Sequence, residues 1–109
     1  MKTHYLPKRL LEKFREIGFD CNDNKVSIEQ ALQWLKGEEI GLFVEVEQFL
    51  SNKPSGMCLL YRYSIEHYDG SRFPYQEGGY KTAESATIAG IRYIVNLIHR
   101  LTHKAKTVR

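Results

Sequence analysis

Apolar residues recur at three- and four-residue spacing early in the chain, and at two-residue spacing through its middle. In PKRLLEKFREIG, Leu10, Leu11, Phe14 and Ile17 form one stripe, with Pro7 at a permitted first-turn position and Gly18 at a natural stop. This predicts a helix over 7–17. In SIEQALQWLKG, Ser27 is placed as an N-cap with Gln30 three residues on, a capping-box pattern, and Gly37 ends the segment. The helix predicted over 27–36 buries Ile28, Leu32 and Leu35, or alternatively Ala31, Trp34 and Leu35.

The period then changes to two. Leu42, Val44 and Val46 alternate with Glu45 and Glu47, predicting a strand over 42–50. Met57, Leu59, Tyr61, Tyr63 and Ile65 alternate with Arg62, Ser64 and Glu66, predicting a second over 57–67. Pro54 and Gly56 between them suggest a loop of several residues rather than a tight turn. Asp69-Gly70 signals a turn into a third strand over 73–80, which Pro74 confines to an edge or makes irregular.

Thr82 is set to cap a last helix over 82–102. Its stripe of Ala86, Ala89, Gly90, Tyr93, Leu97 and Leu101 is widened by Ile94 and Ile98. Glycine inside a helix costs about 1 kcal/mol relative to alanine, so Gly90 predicts close approach of helix to sheet. Residues 103–109 are expected to form a fraying basic tail. The order α-α-β-β-β-α describes one α+β domain, a two-layer sandwich with a three-stranded antiparallel sheet packed on helices.

At 109 residues the chain can bury one modest core. No apolar run is long enough to cross a membrane, and charges interrupt MKTHYLPKRLLEKF before a signal-peptide core forms. Cys21 and Cys58 stand far apart without a metal or disulfide spacing, which suggests reduced thiols and a cytoplasmic setting. The net charge of +3 is uneven. Residues 1–84 hold 11 Lys/Arg against 13 Asp/Glu, whereas residues 85–109 hold five cations and no acid.

Catalytic and metal-binding patterns fall short. Asp20, Asn22 and Asn24 begin like a calcium loop, but Lys25 and Ala31 replace the glycine and the bidentate glutamate. His99 and His103 share a helical face, but two ligands make no site and His4 or His67 would have to complete it. Gly78-Gly79 precedes a helix without the rest of a phosphate-binding motif. Glu45 and Glu47 flank Arg62 across the expected ladder, which reads as a surface ion pair. No enzymatic activity and no cofactor are expected. Tyr68, Tyr75 and Tyr80 cluster around the proline-bearing third strand, and tyrosine is enriched at interfaces. They are the expected recognition patch for a protein partner or a homodimer. The alternative is nucleic-acid binding through Lys53, Lys81, Arg92, Arg100, Lys104 and Lys106.

From Val26 to Leu101 the order α-β-β-β-α, the Pro54-bearing hairpin and DGSRFPYQEGGYKT before a small-residue helix resemble the double-stranded RNA-binding domain. That likeness implies the two-layer fold. The family's last helix begins S-K-K-x-A-K-x-x-A-A, and its lysines hold phosphates. Thr82-Ala83-Glu84-Ser85-Ala86-Thr87-Ile88-Ala89-Gly90 keeps the alanine positions and none of the lysines. The family's P-x-H meets Pro54-Ser55-Gly56, without the histidine. The likeness therefore implies the fold and argues against tight duplex binding, and TAESATIAG reads as a packing surface. The hairpin, aromatic strand and TAESA-to-AGIRY helix also look like small uncharacterised proteins of phage and mobile elements in Bacteroides-type bacteria, which implies no activity.

Overall fold

Ser27 sets the first half of the molecule. Its Oγ accepts the backbone N–H of Gln30 at 3.1 Å, and the Gln30 Oε1 accepts the Ser27 N–H at 3.0 Å, completing the expected capping box. The computed structural model describes the backbone of residues 4–19, 25–37, 40–53 and 56–107, and the side chains of these apart from 53, 72–78 and 102–107. Its elements are α1 (Lys8–Glu16), α2 (Ile28–Leu35), β1 (Leu42–Lys53), β2 (Gly56–His67), β3 (Arg72–Tyr80) and α3 (Ala83–Thr107). The sheet is antiparallel in the order β1-β2-β3 and packs against the helices, the α+β architecture that the pattern predicts.

The helices share one core with one sheet face. Phe14 of α1, Ala31 and Leu35 of α2, Tyr63 and Ile65 of β2, and Ile91, Ile94 and Val95 of α3 are all buried in it. Phe14 sits in an aromatic nest, its ring centroid 5.1 Å from both Phe19 and Trp34. Lys13 Nζ donates to Asn96 Oδ1 at 3.2 Å, and His99 Nε2 lies 3.4 Å from Glu16 Oε2. Both contacts join ascending positions, so α1 and α3 run parallel.

Gly90 explains itself at the crossing of α3 and the sheet. A Cβ there would lie 2.5 Å from Val44 Cγ1 and 3.2 Å from Tyr63 Cδ2, so only glycine lets the helix sit this low. Thr82 caps α3 through its Oγ1, which accepts the Ser85 N–H at 3.0 Å.

Two boundaries differ from expectation. The β1–β2 ladder continues unbroken to Lys53↔Gly56, so the predicted loop of several residues shrinks to positions 54 and 55, which lie outside the described residues. Ser51, Asn52 and Lys53 are polar and conceal the strand's continuation, while continued pairing satisfies the backbone groups that face β2. The expected tail over 103–109 is helical through Thr107, because no glycine or proline follows Gly90 to stop it. Pro74 falls on an edge strand with register irregularities, as its chemistry requires.

Candidate docking surface

The face of the hairpin that α3 covers carries Leu42, Val44 and Val46 from β1, opposite His67, Ile65 and Tyr63 from β2. Further out, the same face carries the cross-strand pairs Gln48↔Tyr61, Leu50↔Leu59 and Asn52↔Met57. Gln48 Nε2 donates to the Tyr61 hydroxyl at 3.3 Å, a polar step that closes the core. Beyond it Leu50 is 60%, Leu59 56% and Met57 67% exposed.

The cause is geometric. β3 ends at Tyr80, opposite Tyr61, and α3 turns back from there towards α1 and α2. No described helix reaches the outer third of the hairpin. An apolar surface of this kind, bordered by polar residues, marks an interaction site more often than a packing fault. The alternation of residues 57–65 placed Met57 and Leu59 on the core face, but the length of hairpin left uncovered was not encoded in that pattern.

The opposite face carries Glu45 and Glu47 between the half-buried Phe43 and Phe49. Arg62 Nε donates to Glu47 Oε1 across the ladder, and the Arg62 guanidinium lies 5.2 Å from the Phe49 ring centroid. Glu45 and Glu47 are thus part of an ordinary cross-strand surface.

Tyr68 and Tyr80 do not meet. Tyr68 is 70% exposed beyond the far end of β2, held by its N–H donating to the Gly41 carbonyl at 2.9 Å. Next to it, Asp69 Oδ1 accepts from the Ser71 hydroxyl at 2.7 Å and the Ser71 N–H at 2.9 Å. These bonds lower the Asp69 carboxyl below its ordinary pKa and shape the turn that presents Tyr68. Tyr80 is half-buried, packed on the core with its ring centroid 6.1 Å from that of Tyr63. Tyr68 and Tyr80 therefore stand at well-separated levels of β2, about 23 Å apart along the strand. The Tyr75 side chain lies outside the described residues.

The expected cations are also spread out. Lys81, Arg92 and Arg100 are exposed. Arg92 and Arg100 are about 12 Å apart along α3, and Lys13 of the parallel α1 adjoins them through Asn96. The side chains of Lys53, Lys104, Lys106 and His103 lie outside the described residues, as do Asp20, Asn22 and Asn24 of the calcium-like run and Cys21. Among the described residues no group of three or more His, Cys, Asp or Glu side chains is placed to hold a metal ion, and no helix is long and apolar enough to cross a membrane. Gly79, at φ +93°, takes the conformation needed where the β2–β3 register shifts before Tyr80, which gives the glycine pair a backbone role.

No protein-family model matches the chain, and neither a curated protein nor a solved structure matches it.

Proposed function

We propose that this chain is a non-enzymatic interaction module that binds another protein through the exposed apolar end of its β1–β2 hairpin. The observation that carries the reading is the exposure of Leu50, Met57 and Leu59 on the face buried elsewhere by helices. Binding energy concentrates in apolar side chains that become fully desolvated. A rigid two-stranded platform presents these three with little ordering cost. Tyr68 at the other end of the sheet is a separate anchor of the same chemical kind.

Peptides selected by display on the wild-type chain are expected to lose at least about tenfold in affinity for Leu50→Ser/Leu59→Ser. The variant should keep its melting temperature, since both residues are more than half exposed. Selected peptides that bind wild type and variant equally would reject this surface, as would a variant that fails to fold.

One observation favours nucleic acid as a second reading: α1 and α3 pack side by side, bringing Lys13 next to the exposed Arg92 and Arg100. With Ala83, Glu84 and Thr87 where the RNA-binding family has lysines, duplex RNA is expected to bind only above micromolar concentration at physiological salt, with no preference over DNA. Gel-shift titrations at two salt concentrations check this. Sub-micromolar, RNA-selective binding would make the α1–α3 face the functional one.

A further inference from the structure

β1 is an outer strand with the chemistry of an unfinished sheet. Its ladder with β2 runs through twelve pairs without a bulge, and it contains no proline or glycine. β3, the other edge, is broken by register shifts and carries Pro74. Long, regular edges expose backbone donors and acceptors, and proteins either shield them or pair them. The described shielding of β1 stops near its start, where Lys36 Nζ lies 5.9 Å from the Phe43 ring centroid.

The geometry points to a second copy of this chain as the occupant, its β1 paired antiparallel with the first about a two-fold axis normal to the sheet and centred on Leu50. This rests on the reading of the hairpin end as a protein-binding surface, and it names the partner.

Charge and the apolar face together select the register. Such an axis keeps the same face upward in both copies, so each residue meets one on its own face. The charged residues of β1 are Glu45, Glu47 and Lys53. Centring on Val46 sets Glu45 against Glu47 of the copy, and centring on Glu47 sets that residue against itself. Like charges directly opposite are destabilising. Two centres instead oppose unlike charges, each pair twice by symmetry: Phe49 sets Glu45 opposite Lys53 of the copy, and Leu50 sets Glu47 there. Only the Leu50 centre also sets Leu50 opposite Leu50, extending the Leu50↔Leu59 pair into a row of four leucines across four strands, whereas the Phe49 centre sets Leu50 opposite Gln48. One register thus joins the apolar surface, the open edge and the opposed charges.

Sedimentation equilibrium of the wild-type chain, Lys53→Glu, Glu47→Lys and the double reversal tests the arrangement. The wild type should dimerise. Each single reversal should raise the dissociation constant about tenfold or more, because two symmetry-related pairs turn repulsive. The double reversal should recover most of that loss, short of the cross-strand contact with Arg62 that every Glu47→Lys chain gives up, with melting temperatures confirming that all four chains fold. A monomeric wild type would overturn the pairing. So would a dimer indifferent to the reversals, or one that the double reversal does not restore. If such a dimer were still lost in Leu50→Ser/Leu59→Ser, the apolar surface would stand and only the β1 pairing would fall.

Discussion

Phe14→Ala should reduce stability by about 3–5 kcal/mol, the cost of emptying a fully enclosed aromatic site. Its ring is 0% exposed and touches Phe19 and Trp34 while α1 lies along α3, so the cavity would open where three segments meet. Collapse to fill it would require α1 to move against both α2 and α3. A domain of this size is typically stable by only about 5–15 kcal/mol, so the variant should melt far below the wild type. Urea denaturation with an unchanged slope would assign the loss to stability alone. A loss under about 1 kcal/mol would mean that α1 lies outside the cooperative core.

Gly90→Leu should cost about 3 kcal/mol through overpacking. The first added atom would already be 2.5 Å from Val44 Cγ1, and the rest of the side chain would press α3 away from β1 and β2. Gly90→Ala separates two effects. Alanine gains about 1 kcal/mol of helix propensity but brings the same close contact, so its net change should be unfavourable or small. Adding Val44→Ala to Gly90→Ala should recover part of the loss, because it removes the atom that the new Cβ meets. Thermal melts of the series would check the order, and a Gly90→Leu chain that melts with the wild type would disprove close approach.

Much of the fold was legible because local signals agreed. Ser27 and Gln30 sit at capping-box spacing, and both hydrogen bonds form. Gly90 broke the helical rule in a stripe otherwise suited to packing, and its cause was the sheet beneath it. Residues 51–53 were harder, because a strand that runs beyond its covering helix no longer needs apolar residues on alternate positions. The docking surface was less legible still. Met57 and Leu59 carry the same pattern as Tyr63 and Ile65, yet only the latter lie under α3. Coverage depends on where α3 returns across the sheet, a relation between distant segments that periodicity does not hold. Tyr80 shows the converse, an aromatic residue near an irregular edge that turns inward onto Tyr63.

The parallel contact of α1 with α3 also orders events in time. Lys13 and Asn96 are separated by 83 positions, whereas the β1–β2 ladder closes between neighbours in the chain. The hairpin and the capped α2 can therefore form early, but Phe14 and Ile94 share one core only after the last helix is available. During synthesis the N-terminal helix must wait for the C-terminal one, with the sheet's apolar face open to solvent meanwhile. The interval between hairpin closure and arrival of α3 is when this chain is most exposed to aggregation.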